Sequence, residues 1–90
     1  MYFMSINKFK PNPDPALINK TIPVHREWVK QQIAKGVIVQ AGKWGDSGGM
    51  IVIKAQTREE ADRLADQDPL VLSGLITFET AELHPAVAFK

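Results

Sequence analysis

Counting from His25 in steps of three and four residues reaches Trp28, Val29, Gln32 and Ile33, while Arg26, Glu27, Lys30, Gln31 and Lys35 fall on the other side. This spacing predicts a helix that turns His25 toward the same side as its apolar residues. Gly36 ends it, because glycine tolerates the left-handed backbone that closes a helix. Two readings of the start stand side by side. In one, Ala16 to Lys20 form a separate turn and Thr21 caps a helix carrying Pro23 in its first turn; in the other, a single helix begins near Pro15 and kinks at Pro23.

Before this helix, Met1 to Phe9 alternates Tyr2, Met4 and Ile6 against Phe3, Ser5 and Asn7, which is the period of a strand. The strand stops at Pro11, where a proline-rich loop runs to Pro15. After the helix, Val37 to Ala41 reads as a short strand, GKWGDSGG as a hairpin connection, and Met50 to Ile53 as a strand apolar at four consecutive positions. Thr57 and Glu60 have the spacing of a capping box, and Ala61, Leu64 and Ala65 give the second helix an apolar stripe that runs to about Gln67. Asp68 and Pro69 pair as cap and first-turn residue of a short helical turn that breaks at Gly74. Leu75 to Leu83 alternates as a last strand, with Ile76 and Phe78 on one face and Thr77 and Glu79 on the other, and residues 84–90 form a tail.

The order strand, helix, strand, strand, helix, strand is that of a ferredoxin-like α+β fold, βαββαβ, with an antiparallel sheet and both helices on one side. Ninety residues support one core, so residues 1–90 form a single domain. A strand apolar on both faces, in a chain with helices for one face only, predicts that a second copy covers the other. A homodimer is therefore expected.

Charge removes several function classes. Eleven basic against ten acidic residues, with no basic cluster interleaved with aromatics, argues against nucleic acid as a partner. No apolar run reaches the roughly 20 residues of a membrane span, and the first residues lack the layout of a signal peptide. No membrane partner and a cytoplasmic location are expected. The absence of cysteine excludes thiolate catalysis and thiolate metal sites, and His25 and His84 alone make a poor ligand set, so neither metal nor cofactor is expected.

The segment H-x-x-W-V followed by AKGVIVQAG, the paired glycines before an apolar strand, A-x-T-REEA and above all ADQDPLVLSGL resemble the YCII-related family over roughly residues 22 to 83. The resemblance implies a dimeric α+β barrel, in which two ferredoxin-like sheets pack face to face, possible in higher even-numbered assemblies. It also implies a His–Asp pair, which falls on His25 and Asp68. One activity it brings is dehydrochlorination of a chlorinated hydroxyhydroquinone, a lyase step in aromatic degradation. This chain departs from the family pattern at Lys43, where proline is common after Ala41-Gly42, and at Arg26, where an aliphatic residue is usual. Both departures lie close to the implied pocket and bear on the substrate more than on the fold.

The chemistry expected of His25 is general acid or base work by a ring whose tautomer Asp68 fixes. Its structural alternative is a helix histidine that only packs. Asp68 serves equally as an N-cap, and one carboxylate oxygen could accept from the helix N–H while the other accepts from His25. Tyr2, Phe9, Trp44 and Met50 are candidate substrate-binding residues, Phe78 a further candidate wall, with core or interface as their default role. Asp46 reads as a turn residue, His84 as solvated or in contact with the partner chain, and Ser47 and Ser73 lack the context of a nucleophile. The alternative function is a non-catalytic ligand-binding domain or dimeric accessory domain.

Overall fold

The computed structural model describes residues 1–87, so the last three residues of the expected tail lie outside the described residues. Its elements are β1 (Tyr2–Phe9), α1 (Pro15–Ala34), β2 (Ile38–Trp44), β3 (Gly48–Lys54), α2 (Arg58–Ala65), α3 (Pro69–Leu72) and β4 (Ile76–Leu83). The four strands form one sheet in the order β2-β3-β1-β4, antiparallel throughout. The expected ferredoxin-like order holds, with α3 as an added short turn.

Residues directly opposite each other in neighbouring strands share a face. Phe3 lies opposite Ile53, Ser5 opposite both Ile51 and Thr80, and Asn7 opposite both Gly49 and Phe78. This set faces the helices. Phe3, Ile38, Ile51 and Ile53 pack with Ala61 and Ala65 of α2, and Trp28 of α1 closes over them. The two alanines, four apart on one helix face, bring α2 close to the sheet. Phe3 and Ile53 are fully buried, each contributing about 1.5–3 kcal/mol of apolar burial. A second cluster, Leu70, Leu75 and Ile76 with Phe9, Leu17, Ile18 and Ile22, seals the end of the sheet where α3 sits.

Of the two readings of the first helix, the continuous one is observed, but its cap is Asp14, whose carboxylate accepts from Ala16 N at 3.0 Å. Thr21 is buried in mid-helix and caps nothing. The inward stripe is also narrower than expected. At 100° per residue Thr21, His25, Trp28 and Gln32 fall within about 60° of one another, whereas Ile33 lies about 100° past Gln32 and is 48% exposed. Gly36 has φ +74° and ends the helix as expected.

The hairpin strands run further into the glycine-rich stretch than their apolar residues suggested, reaching Trp44 and Gly48 and leaving only residues 45–47 as the turn. Gly48 is required there by close approach: a Cβ would lie 2.7 Å from the Asn7 carbonyl oxygen and 2.9 Å from that of Trp44. The second helix stops at Ala65, two residues short of the expected end. Thr57 caps it as expected, accepting from Glu60 N at 3.2 Å, but Glu60 reaches back to Gln56 N rather than to the cap residue itself.

The other sheet face carries Tyr2, Met4, Ile6, Met50, Val52 and Leu83, and no helix of the described residues covers it. The four-residue apolar run of β3 is thus split, Ile51 and Ile53 toward the helices and Met50 and Val52 toward this open face. Among the described residues no helix is long and apolar enough to cross a membrane.

Candidate functional site

Two helix starts build the site. Asp14 fixes where α1 begins, and Leu17, Ile18 and Ile22 dock it against Leu70 and Ile76, so the next inward position on the same stripe is His25. Asp68 sits where the chain leaves α2, and its φ of −58° and ψ of 126° turn it into the cap of α3. Pro69, which has no N–H to lose, follows as the first helical residue.

His25 Nδ1 and Asp68 Oδ1 are 2.7 Å apart across 43 residues of sequence. The same Oδ1 accepts from the backbone N–H of Leu70 at 2.9 Å. Sequence reasoning divided these two bonds between the two carboxylate oxygens; the structure converges both on one. The Asp68 side chain is 3% exposed and that of His25 20%, so a buried carboxylate is met by one backbone donor and one ring donor while the ring keeps an edge toward solvent. A carboxylate at Nδ1 holds the neutral ring with its proton there and leaves Nε2 as the free lone pair. Such a ring can take a proton at Nε2 and return it, with the carboxylate opposing the positive charge that develops.

The remaining expected residues divide. Phe9 packs in the cluster beneath α3, on the side of the sheet that holds His25 and Asp68. Tyr2 and Met50 point to the open face, and Trp44, 47% exposed, pairs with Gly48 and shares that face. Within one chain these three are not brought together with His25, because strand alternation turns them away from it. Phe78 lies on the helix side and packs against the main core. Asp46 and Ser47 occupy the exposed hairpin turn, and Ser73 Oγ donates to the Leu70 carbonyl at 2.8 Å, an α3 closure. His84 is exposed, 3.6 Å from Glu82. Among the described residues no group of three or more His, Cys, Asp or Glu is placed to hold a metal ion.

Sequence reasoning missed the polar residues that line the inside of the sheet. Ser5, Asn7 and Thr80 are all buried beneath the helices. The signal was present in the alternation of β1, which puts Ser5 and Asn7 in phase with Phe3 and out of phase with Met4 and Ile6. An open concavity of about 750 Å³ lies along β4 and α2, bordered by Phe78, Thr80, Asp62 and Asp66 on the helix side and by Met4 and Ile6 on the other; neither His25 nor Asp68 lines it.

A family model described as the YCII-related domain matches residues 1–82. No curated protein matches the chain. Among solved structures, 5-chloro-2-hydroxyhydroquinone dehydrochlorinase (TftG) from Burkholderia phenoliruptrix AC1100, in complex with 2,5-dihydroxybenzoquinone, is similar at a TM-score of 0.74 and 18% identity, over 93% of this chain and 94% of that one. Muconolactone isomerase is similar at a TM-score of 0.74 and 20% identity, over 97% of this chain and 94% of that one. An antibiotic biosynthesis monooxygenase gives a TM-score of 0.56 at 13% identity, over 94% and 100%. At these identities the likeness is one of fold.

Proposed function

The chain belongs to the YCII-related family, and from that premise we propose that it is a small-molecule enzyme of lyase or isomerase type, in which His25 and Asp68 form a general acid–base dyad. The observation that carries this reading is the 2.7 Å contact between the ring and a buried carboxylate, with the other ring nitrogen left for substrate. Nε2 removes a proton from a hydroxyl or acidified carbon; in an isomerase the same ring returns it at a second position, and in a lyase a leaving group departs as its anion with the electron pair. The finer reading takes its substrate from the neighbouring dehydrochlorinase and is an aromatic-degradation intermediate such as a chlorinated hydroxyhydroquinone.

The test follows chloride release and loss of 5-chloro-2-hydroxyhydroquinone against pH, for the wild type and for His25→Gln. The wild-type rate is expected to exceed that of the variant by about a hundredfold or more, with a different dependence on pH. Equal rates and equal profiles would remove His25 from the chemistry. Saturable binding of the compound without turnover would favour the alternative of a ligand-binding domain.

The open face supports a homodimer as the working unit. Met4, Ile6 and Met50, all partly exposed, form an apolar surface around the buried Val52 on one side of a sheet whose other side is already covered, and a small domain gains most from burying such a face against its own copy. Light scattering coupled to size exclusion at micromolar concentration is expected to give twice the chain mass of 10.0 kDa. A stable folded monomer overturns this assembly. Closing two such faces together makes the dimeric barrel and places Tyr2, Trp44 and Met50 at the interface rather than beside His25.

A further inference from the structure

Among the described residues, the buried polar side chains apart from Asp68 are Ser5, Asn7 and Thr80 on the sheet and Thr21 and Gln32 on α1. All five lie between the two layers. A protein interior this small does not keep polar groups in its core without partners, because each costs free energy that an apolar residue of similar shape avoids. Thr80 Oγ1 has no hydrogen-bond partner among the described residues. The sheet brings it to Ser5, directly opposite in the ladder, and Asn7 follows two residues along the same face. The result is a polar floor where the pattern of Phe3 and Phe9 would otherwise continue apolar.

Three placements point His25 toward that floor. Ile22 and Phe9 both pack against the Leu70, Leu75 and Ile76 cluster at one end of β1, and Trp28 packs with the cluster of Phe3 and Ile51 toward the other. His25 lies midway between Ile22 and Trp28 on the helix, and Ser5 and Asn7 lie midway between Phe3 and Phe9 on the strand. Asn7 also leans toward β3: a Cβ on Gly49 would stand 3.0 Å from Asn7 Oδ1 and 3.4 Å from Nδ2, so the amide occupies the space that the glycine leaves. That is the side of the sheet which α1 covers, since α1 packs on β2 while α2 packs on β4 and β1.

Resting on the acid–base reading above, we propose that Asn7 is the substrate-orienting residue of the His25 site, its amide hydrogen-bonding a hydroxyl or carbonyl oxygen of a small oxygenated ring. An amide fits either oxygen, donating through Nδ2 to a carbonyl and accepting at Oδ1 from a hydroxyl. Among the described residues neither lysine nor arginine is buried, so the floor suits a neutral oxygen rather than a carboxylate or phosphate. Ser5 and Thr80 extend it with hydroxyls that serve further ring oxygens. Thr80 also borders the concavity on the α2 side, which carries open space up to this floor.

The experiment needs no substrate. The His25 ring resonances are titrated by NMR in the wild type and in Asn7→Asp, with exposed His84 as the internal reference. A carboxylate facing the imidazole favours its charged form, so the His25 midpoint is expected to lie above that of the wild type while the His84 midpoint is the same in both. An unmoved His25 midpoint overturns the proposal. Should Asn7→Asp fail to fold, Asn7→Leu decides: an amide kept for substrate is replaced there by an apolar side chain of similar size, and the melting temperature is expected to equal or exceed that of the wild type. A drop of several degrees would make the amide a structural one and overturn the proposal as well. Neither readout uses turnover, so a failed orienting role leaves the acid–base role of His25 standing, and an inactive dyad leaves the placement of Asn7 standing.

Discussion

In Asp68→Asn, turnover is expected to fall by about ten- to a hundredfold with the fold and its melting temperature nearly unchanged. The size of the effect follows from the convergence of both hydrogen bonds on Oδ1. An asparagine carbonyl in the same place still accepts from Leu70 N and from Nδ1, so the cap and the tautomer both survive, and asparagine caps about as well as aspartate. What the substitution removes is the negative charge that stabilises the imidazolium as Nε2 takes its proton. A hydrogen bond to a charged group is worth about 1.5–3 kcal/mol, which sets the range. Steady-state kinetics with a thermal melt checks it. Unchanged turnover would leave Asp68 as a cap alone, while a loss near ten-thousandfold would mean that the amide nitrogen faces the ring and imposes the other tautomer.

His25→Ala is expected to lower turnover further, by about a hundred- to ten-thousandfold, the usual contribution of a positioned acid–base group. It should also destabilise the fold at neutral pH. The carboxylate left behind is 3% exposed and retains only Leu70 N as a described donor, so a loss of about 1–3 kcal/mol is expected in urea unfolding. The two readouts separate the roles of the ring. Full stability with lost activity would place the Asp68 carboxylate in contact with water once the ring is gone. Lost stability with full activity would make His25 a packing residue and end the dyad reading.

Much of this architecture was legible because local signals and the fold agree. Thr57, Asp68 with Pro69, and Gly36 each mark a helix boundary through backbone chemistry that does not depend on the rest of the chain. The phase of His25 was legible for the same reason. Thr21 was misread because a threonine two residues before a proline carries a start signal whatever lies upstream, and only the packing of Leu17, Ile18 and Ile22 against the α3 cluster shows that the helix had already begun. Ile33 was misplaced because steps of three and four drift around a helix, while the docked stripe is fixed by Trp28 and Gln32. The face on which Tyr2, Trp44 and Met50 lie was not legible, for a different reason. Their apolar character marks a surface to be covered, but which of two faces it belongs to is decided by strand register, and register is set by pairing partners far along the chain. Asn7 was overlooked on the same account, since polarity alone sends it outward.

The shared oxygen of Asp68 also gives the site a built-in clock. The Leu70 amide proton is held by the acceptor that holds His25, so it exchanges with solvent only when the first turn of α3 opens, and that opening breaks the grip on the ring in the same event. The equilibrium population of that open turn limits the fraction of time the carboxylate holds the imidazole. A slow-exchanging Leu70 amide thus marks a chain whose ring is held nearly all of the time, and a fast one marks a chain whose ring is held for only part of it.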